Sequence, residues 1–369
     1  MNYVFFTNTP AHVHLYKHAV ERLARAGHRV RVLARDYGCT VDLLEYYDLP
    51  YRVYGSCGTT KYSLARNLPG HYARILPFVR RFDPDLIFGM GAYAAHSGAL
   101  SRTPTVLLLD SEPTSLDHFI SRPFARAILT PDAFRKELGK NHYRFAGYKE
   151  CAYLHPDVFR PNPAIREDLG VGPDEPYAIL RFNAFGSHHD VNHSGFTPRE
   201  RYRLIDRLAR HTTVFVSDEG GRLDLERTAG RPFDAHPALL HDALAEARLL
   251  VADSQTIVTE AGLLGTPAIR SNSFVGENDM GNFIELERAG LIENVAEFEG
   301  VVERAEELLA DPAVPERMAK RRREYLETKV NLTDVIVEVA ENEGNVERVG
   351  AVSKTGTPSG RTRYLPTND

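Results

Sequence analysis

The stretch Val251–Ile269, VADSQTIVTEAGLLGTPAI, decides the reading of this chain. It opens with an apolar strand that stops at Asp253-Ser254, and a helix is expected to start near Gln255. The amides of Ser254, Gln255 and Thr256, the hydroxyls and the helix dipole together suit a diphosphate. Glu260 falls about a turn and a half into the helix, where a carboxylate can accept hydrogen bonds from two ribose hydroxyls. The plainer alternative stays open: Asp253 and Ser254 cap the helix, and Glu260 is a solvated helix residue.

The same strand-then-helix rhythm extends in both directions. NYVFFTN, HRVRVLAR, PYRVYG, DLIFGMG, TVLLLDS and ARAILTP read as strands in the first part of the chain. HLYKHAVERLARAG carries Leu15, Ala19, Leu23 and Ala26 at helical spacing, and Gly27 ends it. LHPDVFRPNPAIREDLGVGPDEP is rich in proline and charge and reads as a linker. A second series follows with YAILRFNAF, TTVFVSD, ARLLVADS and TPAIRSN. Strands separated by helices imply parallel sheets covered on both faces.

The expected fold is therefore α/β, with two Rossmann-like domains facing a cleft. The N-terminal domain is expected over 1–155, a linker over 156–175, and a C-terminal domain over 176–342 closed by a helix or helix pair. A polar, aperiodic tail over 343–369 is expected to be disordered.

Bulk properties narrow the function. The 369 residues are 43% hydrophobic and 26% charged, with a net charge of −5, so no global positive field attracts nucleic acid or an anionic bilayer. Cys39, Cys57 and Cys151 form no C-x-x-C pair and are odd in number, which argues against a disulfide framework and a zinc site. The N-terminus lacks the charged and apolar regions of a signal peptide, and no apolar run approaches the ~20 residues that span a bilayer. A cytoplasmic protein is expected, and the Asn331-Leu332-Thr333 sequon is not expected to be glycosylated.

Ligands of open α/β sheets bind beyond the carboxyl ends of the strands, so residues just after strands are the candidates. FGMGAYAAHSGAL, Phe88–Leu100, places glycines and alanines there, either for close approach to a ligand or for tight strand–helix packing. RFNAFGSHHDVNHSG, Arg181–Gly195, offers Arg181 as a bidentate phosphate donor. Its His188, His189, Asp190 and His193 are residue types that also bind first-row metals.

Several of these stretches carry a resemblance. Asp253-Ser254, Glu260-Ala261 and Gly265-x-Pro267 resemble the nucleotide-diphosphate motif of GT-B proteins, in the form of the non-hydrolysing UDP-GlcNAc 2-epimerases. In that family two glycines follow the serine, where this chain has Gln255 and Thr256. GMGAYAAHSGAL resembles the GMGGY-type loop of the MurG-type GlcNAc transferases, and Glu112 in LLLDSEP stands where those enzymes carry an acid. TNTPAHVHLYKHAVERLARAGHRV is similar to their G-G-H-V…GHEV segment, with Pro10 and Ala11 for the usual glycines and His12 on the cleft side. As a whole the chain resembles a little-characterised archaeal and bacterial family of predicted glycosyltransferases.

The resemblance implies a metal-independent GT-B glycosyltransferase with no cofactor, using a nucleotide-sugar donor, expected to be UDP-linked, and a glycan or lipid-linked acceptor. Ser254, Gln255 and Thr256 would hold diphosphate, with Arg181 and His189 in support; Glu260 would hold ribose. His236 falls in the region that contacts the base in relatives, though His236-Pro237 also reads as an ordinary helix start. His12, with an ordinary pKa near ~6.5, or Glu112 would take the acceptor proton; His12 can equally be a loop residue bonded to backbone. The epimerases carry an acid after the loop glycine, where Ala92 cannot move a proton, which speaks against epimerisation.

Lys61–Phe82, KYSLARNLPGHYARILPFVRRF, is basic and amphipathic. It can lie on an anionic membrane, or more simply pack its apolar face on the sheet and solvate its charges. Lys320–Arg323 reads as a solvated helix face, and no nucleic-acid partner is expected.

Overall fold

The computed structural model describes residues 1–56, 61–183, 195–221, 223–276 and 279–355. The first sheet holds eight strands in the order β14-β7-β6-β5-β4-β1-β2-β3. These are β1 Asn2–Thr7, β2 Arg29–Asp36, β3 Tyr51–Ser56, β4 Leu86–Gly89, β5 Thr105–Leu108, β6 Ala127–Pro131, β7 His142–Phe145 and β14 Val352–Lys354. The second holds six, in the order β10-β9-β8-β11-β12-β13. They are β8 Tyr177–Phe182, β9 Thr213–Asp218, β10 Arg231–Pro232, β11 Leu249–Ala252, β12 Ala268–Arg270 and β13 Glu293–Asn294.

Both faces of each sheet are covered, so the central strands are apolar throughout: Tyr3, Val4, Phe5 and Phe6 are all fully buried, as are Leu249 to Ala252. In the first sheet the chain runs outward from β1 through β2 to β3, then crosses to β4 on the other side of β1. In the second it runs from β8 to β9 and β10, then crosses to β11. Each reversal opens a crevice at the carboxyl ends of two parallel strands, and such switch points are where open α/β sheets take ligands. Asn8 follows β1, Met90 follows β4, Asn183 follows β8 and Asp253 follows β11.

All ten strands expected from sequence are present. The four that were not expected are short or at edges: β7, the two-residue β10 and β13, and β14. β14 corrects the expectation of a disordered tail from 343. Val346 and Val349 are buried, and Val352–Lys354 pairs antiparallel with β7, Val352 opposite Phe145 and Lys354 opposite Tyr143. An open strand edge supplies hydrogen-bond partners that composition cannot reveal. Residues 356–369 of that expected tail lie outside the described residues.

The domain boundaries also shift. The expected closing pair forms as helices Val314–Leu326 and Leu332–Glu341, but the second packs on the first domain. The Tyr3 hydroxyl donates to Ala340 O at 3.0 Å, and the Thr333 hydroxyl to Ala152 O at 2.7 Å. The chain thus crosses between domains twice, and residues 332–355 belong with the first sheet. Within the linker, Ile165, Leu169 and Val171 are buried around a short helix, Ile165–Asp168.

Lys61–Phe82 forms one helix with Pro69 and Pro77 inside it, and Ile75 and Val79 are buried with Phe82 beside them. Packing on the sheet accounts for its apolar stripe. No helix among the described residues is long and apolar enough to cross a membrane.

Candidate functional site

Between the two switch points lies a cavity of about 580 Å³. The first domain contributes Thr9, Pro10, Ala11 and His14 after β1, Tyr37 and Cys39 after β2, and Ser111 and Pro113 after β5. The second contributes Arg181, Asn183, Glu219, Phe233, Ala235 and the run Asp253–Ile257 with Glu260.

β11 ends at Ala252 and the Thr256–Leu264 helix begins four residues later. Gln255 stands at its N-cap without a side-chain bond; Val258 N reaches back to Gln255 O at 3.1 Å, while the N–H groups of Thr256 and Ile257 at the head of the helix have no intrahelical acceptor. The Ser254 hydroxyl beside them is buried and has no partner among the described residues. Ser254, Gln255 and Thr256 all line the cavity. Together these are donors without acceptors at the positive end of a helix, an arrangement that suits an anion.

Asp253 does not cap this helix. Its carboxylate accepts from Asn183 N at 2.6 Å, Phe196 N at 3.3 Å and Arg201 Nη2 at 3.3 Å. It therefore ties together the two ends of the segment that leaves β8. Burial pushes Asp253 up to about 6, against the pull of those N–H groups and of Arg201.

Glu260 is not a solvated helix residue; it is 5% exposed. Its Oε1 accepts from the Tyr153 hydroxyl at 2.8 Å and from His241 Nε2 at 3.0 Å. Burial pushes the carboxyl up, but His241, Tyr153 and Lys149 outweigh it and hold Glu260 below the ordinary range. Because both bonds fall on Oε1, Oε2 is the oxygen left for a ligand. His14 from the first domain packs edge-on against His241 with ring centroids 4.6 Å apart, and burial holds His14 neutral. Tyr153 and His241 escaped the sequence reading, because Tyr153 is 107 residues from Glu260 and no local pattern joins them.

The remaining candidates divide. Arg181 lines the cavity but is paired with Glu219 and the Ser217 hydroxyl. His189, with His188, Asp190 and His193, lies outside the described residues, among which no group of three His, Cys, Asp or Glu is placed to hold a metal. His236 caps a short turn, its Nδ1 accepting from Ala238 N at 3.2 Å, and stacks on Tyr46 of the first domain at 4.8 Å. The plain reading of His236-Pro237 holds for its side chain, and its neighbours Ala235 and Pro237 line the cavity instead.

The two proton-transfer candidates are corrected. His12 does not line the cavity: Nδ1 accepts from Asn8 N at 3.2 Å, and burial, with Lys149 nearby, pushes its pKa down to about 3. So low a value makes it a poor base at neutral pH. Glu112 is 9% exposed and spans the two domains, Oε1 accepting from Arg135 N at 2.7 Å and Oε2 from Gly281 N at 3.1 Å. It fastens the domains together. Asp110, Lys149 and the buried Glu150 form a partly buried ionic cluster beside His12, and burial raises Glu150 to about 7 despite Lys149.

The small residues of Phe88–Leu100 serve packing. A Cβ on Gly89 would stand 2.3 Å from the Ala94 methyl, and one on Gly98 would stand 1.9 Å from the Thr105 hydroxyl. Ala92 N donates to Asp117 Oδ1 at 3.2 Å, so a carboxylate does reach this loop, from a different element.

No family model and no curated protein matches the sequence. Solved structures match along nearly the whole chain. UDP-GlcNAc 2-epimerase from Neisseria meningitidis bound to UDP-GlcNAc superposes with a TM-score of 0.64 at 13% identity, covering 93% of this chain and all of that one. The S. aureus MnaA–UDP structure gives 0.65 at 11% identity, covering 94% and 97%. Acinetobacter baumannii MurG gives 0.57 at 16%, covering 93% and 100%. The fold is GT-B. At these identities the likeness carries the architecture, and the chemistry has to come from the site.

Proposed function

We propose that this chain is a glycosyltransferase that moves a sugar from a nucleoside-diphosphate donor, uridine-linked, to an acceptor hydroxyl in the interdomain cavity. The supporting observation is the head of one helix: the Ser254 hydroxyl, unpartnered among the described residues, and the Thr256 and Ile257 amides that open the Thr256–Leu264 helix, with the Glu260 carboxylate deeper along it. The amides and hydroxyls would neutralise the diphosphate as it departs, which is where negative charge develops during transfer. Glu260 Oε2 would hold the ribose, with Tyr153 and His241 fixing the carboxylate. Arg181 would reach phosphate by exchanging its Glu219 contact for the donor. The acceptor, a glycan or a lipid-linked sugar, would enter from the side of Thr9–Ala11 and Ser111.

An epimerase reading has one observation in its favour. Asp117 supplies beside Gly91 a carboxylate that Ala92 does not, so the missing acid no longer speaks against it. Incubating UDP-sugars with the protein in the absence of acceptor separates the two. A new UDP-sugar formed without acceptor overturns the transferase reading. A donor that is bound and left intact until an acceptor is added supports it.

A further inference from the structure

Besides the large cavity, the two domains meet at the head of the Gly281–Arg288 helix. Backbone closes on backbone there: a Cβ on Gly281 would stand 1.9 Å from Ala133 O. Gly281 N donates to Glu112 Oε2 at 3.1 Å, and Arg135 Nη1 donates to Asp279 O at 3.2 Å. Beside these bonds lies a chamber of about 10 Å³. Asp110, Glu112, Tyr148, Lys149 and Glu150 line it from the first domain, and Asn282 lines it from the second. That is room for a single water molecule.

Donors and acceptors around the chamber do not balance while every carboxyl is ionised. Asn282 Oδ1 is buried and has no donor among the described residues. Glu150 is 4% exposed; its ion-pair partner, Lys149 Nζ, stands 3.5 Å away and donates to Asp110 Oδ2 instead. Asp110, Glu150 and, from the Thr256–Leu264 helix, Glu260 set three carboxyl groups against the one ammonium of Lys149. Glu112 adds a fourth at the chamber wall, occupied by Arg135 N and Gly281 N, and His12 beside the cluster is neutral. A carboxylate facing an unpaired carbonyl oxygen is acceptor against acceptor, whereas a carboxylic acid supplies the missing O–H. Burial, with Asp110 and Glu260, pushes Glu150 up to about 7 against the pull of Lys149 and of its own N–H, so both forms are populated near neutral pH.

We infer that Glu150 is a proton-operated clasp between the domains. As the neutral acid it donates across the chamber to Asn282 Oδ1, directly or through the single water that the chamber has room for. As the carboxylate it turns to Lys149 and lets the second domain go. The sign follows from the raised value: the clasp is fully made below about 4.5, the ordinary value, and is lost as pH rises through about 7. It acts on the same contact that Glu112 fastens, so it makes the parting of the domains depend on pH. This holds whichever reaction the large cavity carries out.

The test is amide hydrogen exchange of the full chain at pH 6 and pH 8, followed by mass spectrometry and corrected for the intrinsic pH dependence of exchange. Peptides over 279–284 report the interface, and β11 reports global unfolding. Protection at the interface should fall about tenfold from pH 6 to pH 8, the factor for a group that titrates at 4.5 when open and about 7 when closed. Protection of β11 should fall less. Glu150→Gln keeps a donor at every pH and should hold the pH 6 protection at both. Asn282→Leu removes the acceptor and should show the lower protection at both; it also serves should Glu150→Gln fail to fold. Interface protection that ignores pH, or that falls only in step with β11, overturns the inference. A pH dependence that survives in Glu150→Gln does so too. If it survives in Asn282→Leu, Glu150 titrates within the first domain alone and is no clasp.

Discussion

Glu260→Gln is the sharpest probe of the proposed donor site. The side chain keeps its shape, and its amide oxygen can still accept from Tyr153 and His241, which now approach Oε1 at 2.8 and 3.0 Å. That geometry turns the amide NH₂ toward the position of Oε2, where ribose hydroxyls would otherwise meet a charged acceptor. Hydrogen bonds to charged groups contribute about 1.5–3 kcal/mol and neutral ones about 0.5–1.5. The expected loss is about 1–2 kcal/mol, or roughly 5- to 30-fold in UDP affinity. Titration calorimetry with UDP measures it, and thermal unfolding shows whether the variant stays folded. Glu260→Ala is less informative, because it strands the buried Tyr153 hydroxyl and His241 Nε2 at about 1–3 kcal/mol each. A folded Glu260→Gln variant that binds UDP as the parent does would refute the ribose assignment. So would a parent protein unmoved by saturating UDP, since ligand at a hundredfold its Kd adds about 2.7 kcal/mol of stability.

Other outcomes follow from contacts already described. Removing the Glu112 carboxylate with Glu112→Ala leaves Arg135 N and Gly281 N without acceptors; it should cost about 2–4 kcal/mol in thermal or denaturant unfolding. An unchanged midpoint would mean that the domains are fastened elsewhere. Gly281→Ala would place a Cβ 1.9 Å from the Ala133 carbonyl of the first domain, so the domains must part, and small-angle scattering should report a larger radius of gyration. The two buried carboxylates of the site should answer pH in opposite senses. Asp253, raised from 3.8 to about 6, contributes stability that is present below 3.8 and lost as pH rises through 6; Asp253→Asn should flatten that slope in unfolding free energy. Glu260, held below 4.5, contributes stability that is present above 4.5 and lost as pH falls through its lower folded value, and Glu260→Gln should remove that acid-side loss.

Legibility of the site followed the range of the interactions. Ser254, Gln255, Thr256 and Glu260 could be placed because a strand end, a helix start and a turn and a half of helix are all local. The residues that give Glu260 its state were not legible: Tyr153 and His241 reach it from other elements. His12 shows the reverse error. Its place after β1 is as expected, but the ring turns back onto Asn8 N and is desolvated, which no pattern of neighbours in sequence encodes. Glu112 likewise follows its strand as expected, and then spends both oxygens on backbone from two domains.

By itself the sequence determined the two α/β series, their covered parallel strands and the helix start after β11, because apolar periodicity and strand-end chemistry are written over a few adjacent residues. Only the tertiary structure decided which side chains share the cavity and which fasten the domains. It also decided where the C-terminal residues go, folding Leu332–Glu341 back onto the first domain and adding β14 to its sheet. Those outcomes depend on burial and on partners more than a hundred residues away, and the free energy of a carboxylate or an imidazole is set by that surrounding rather than by its neighbours in the chain.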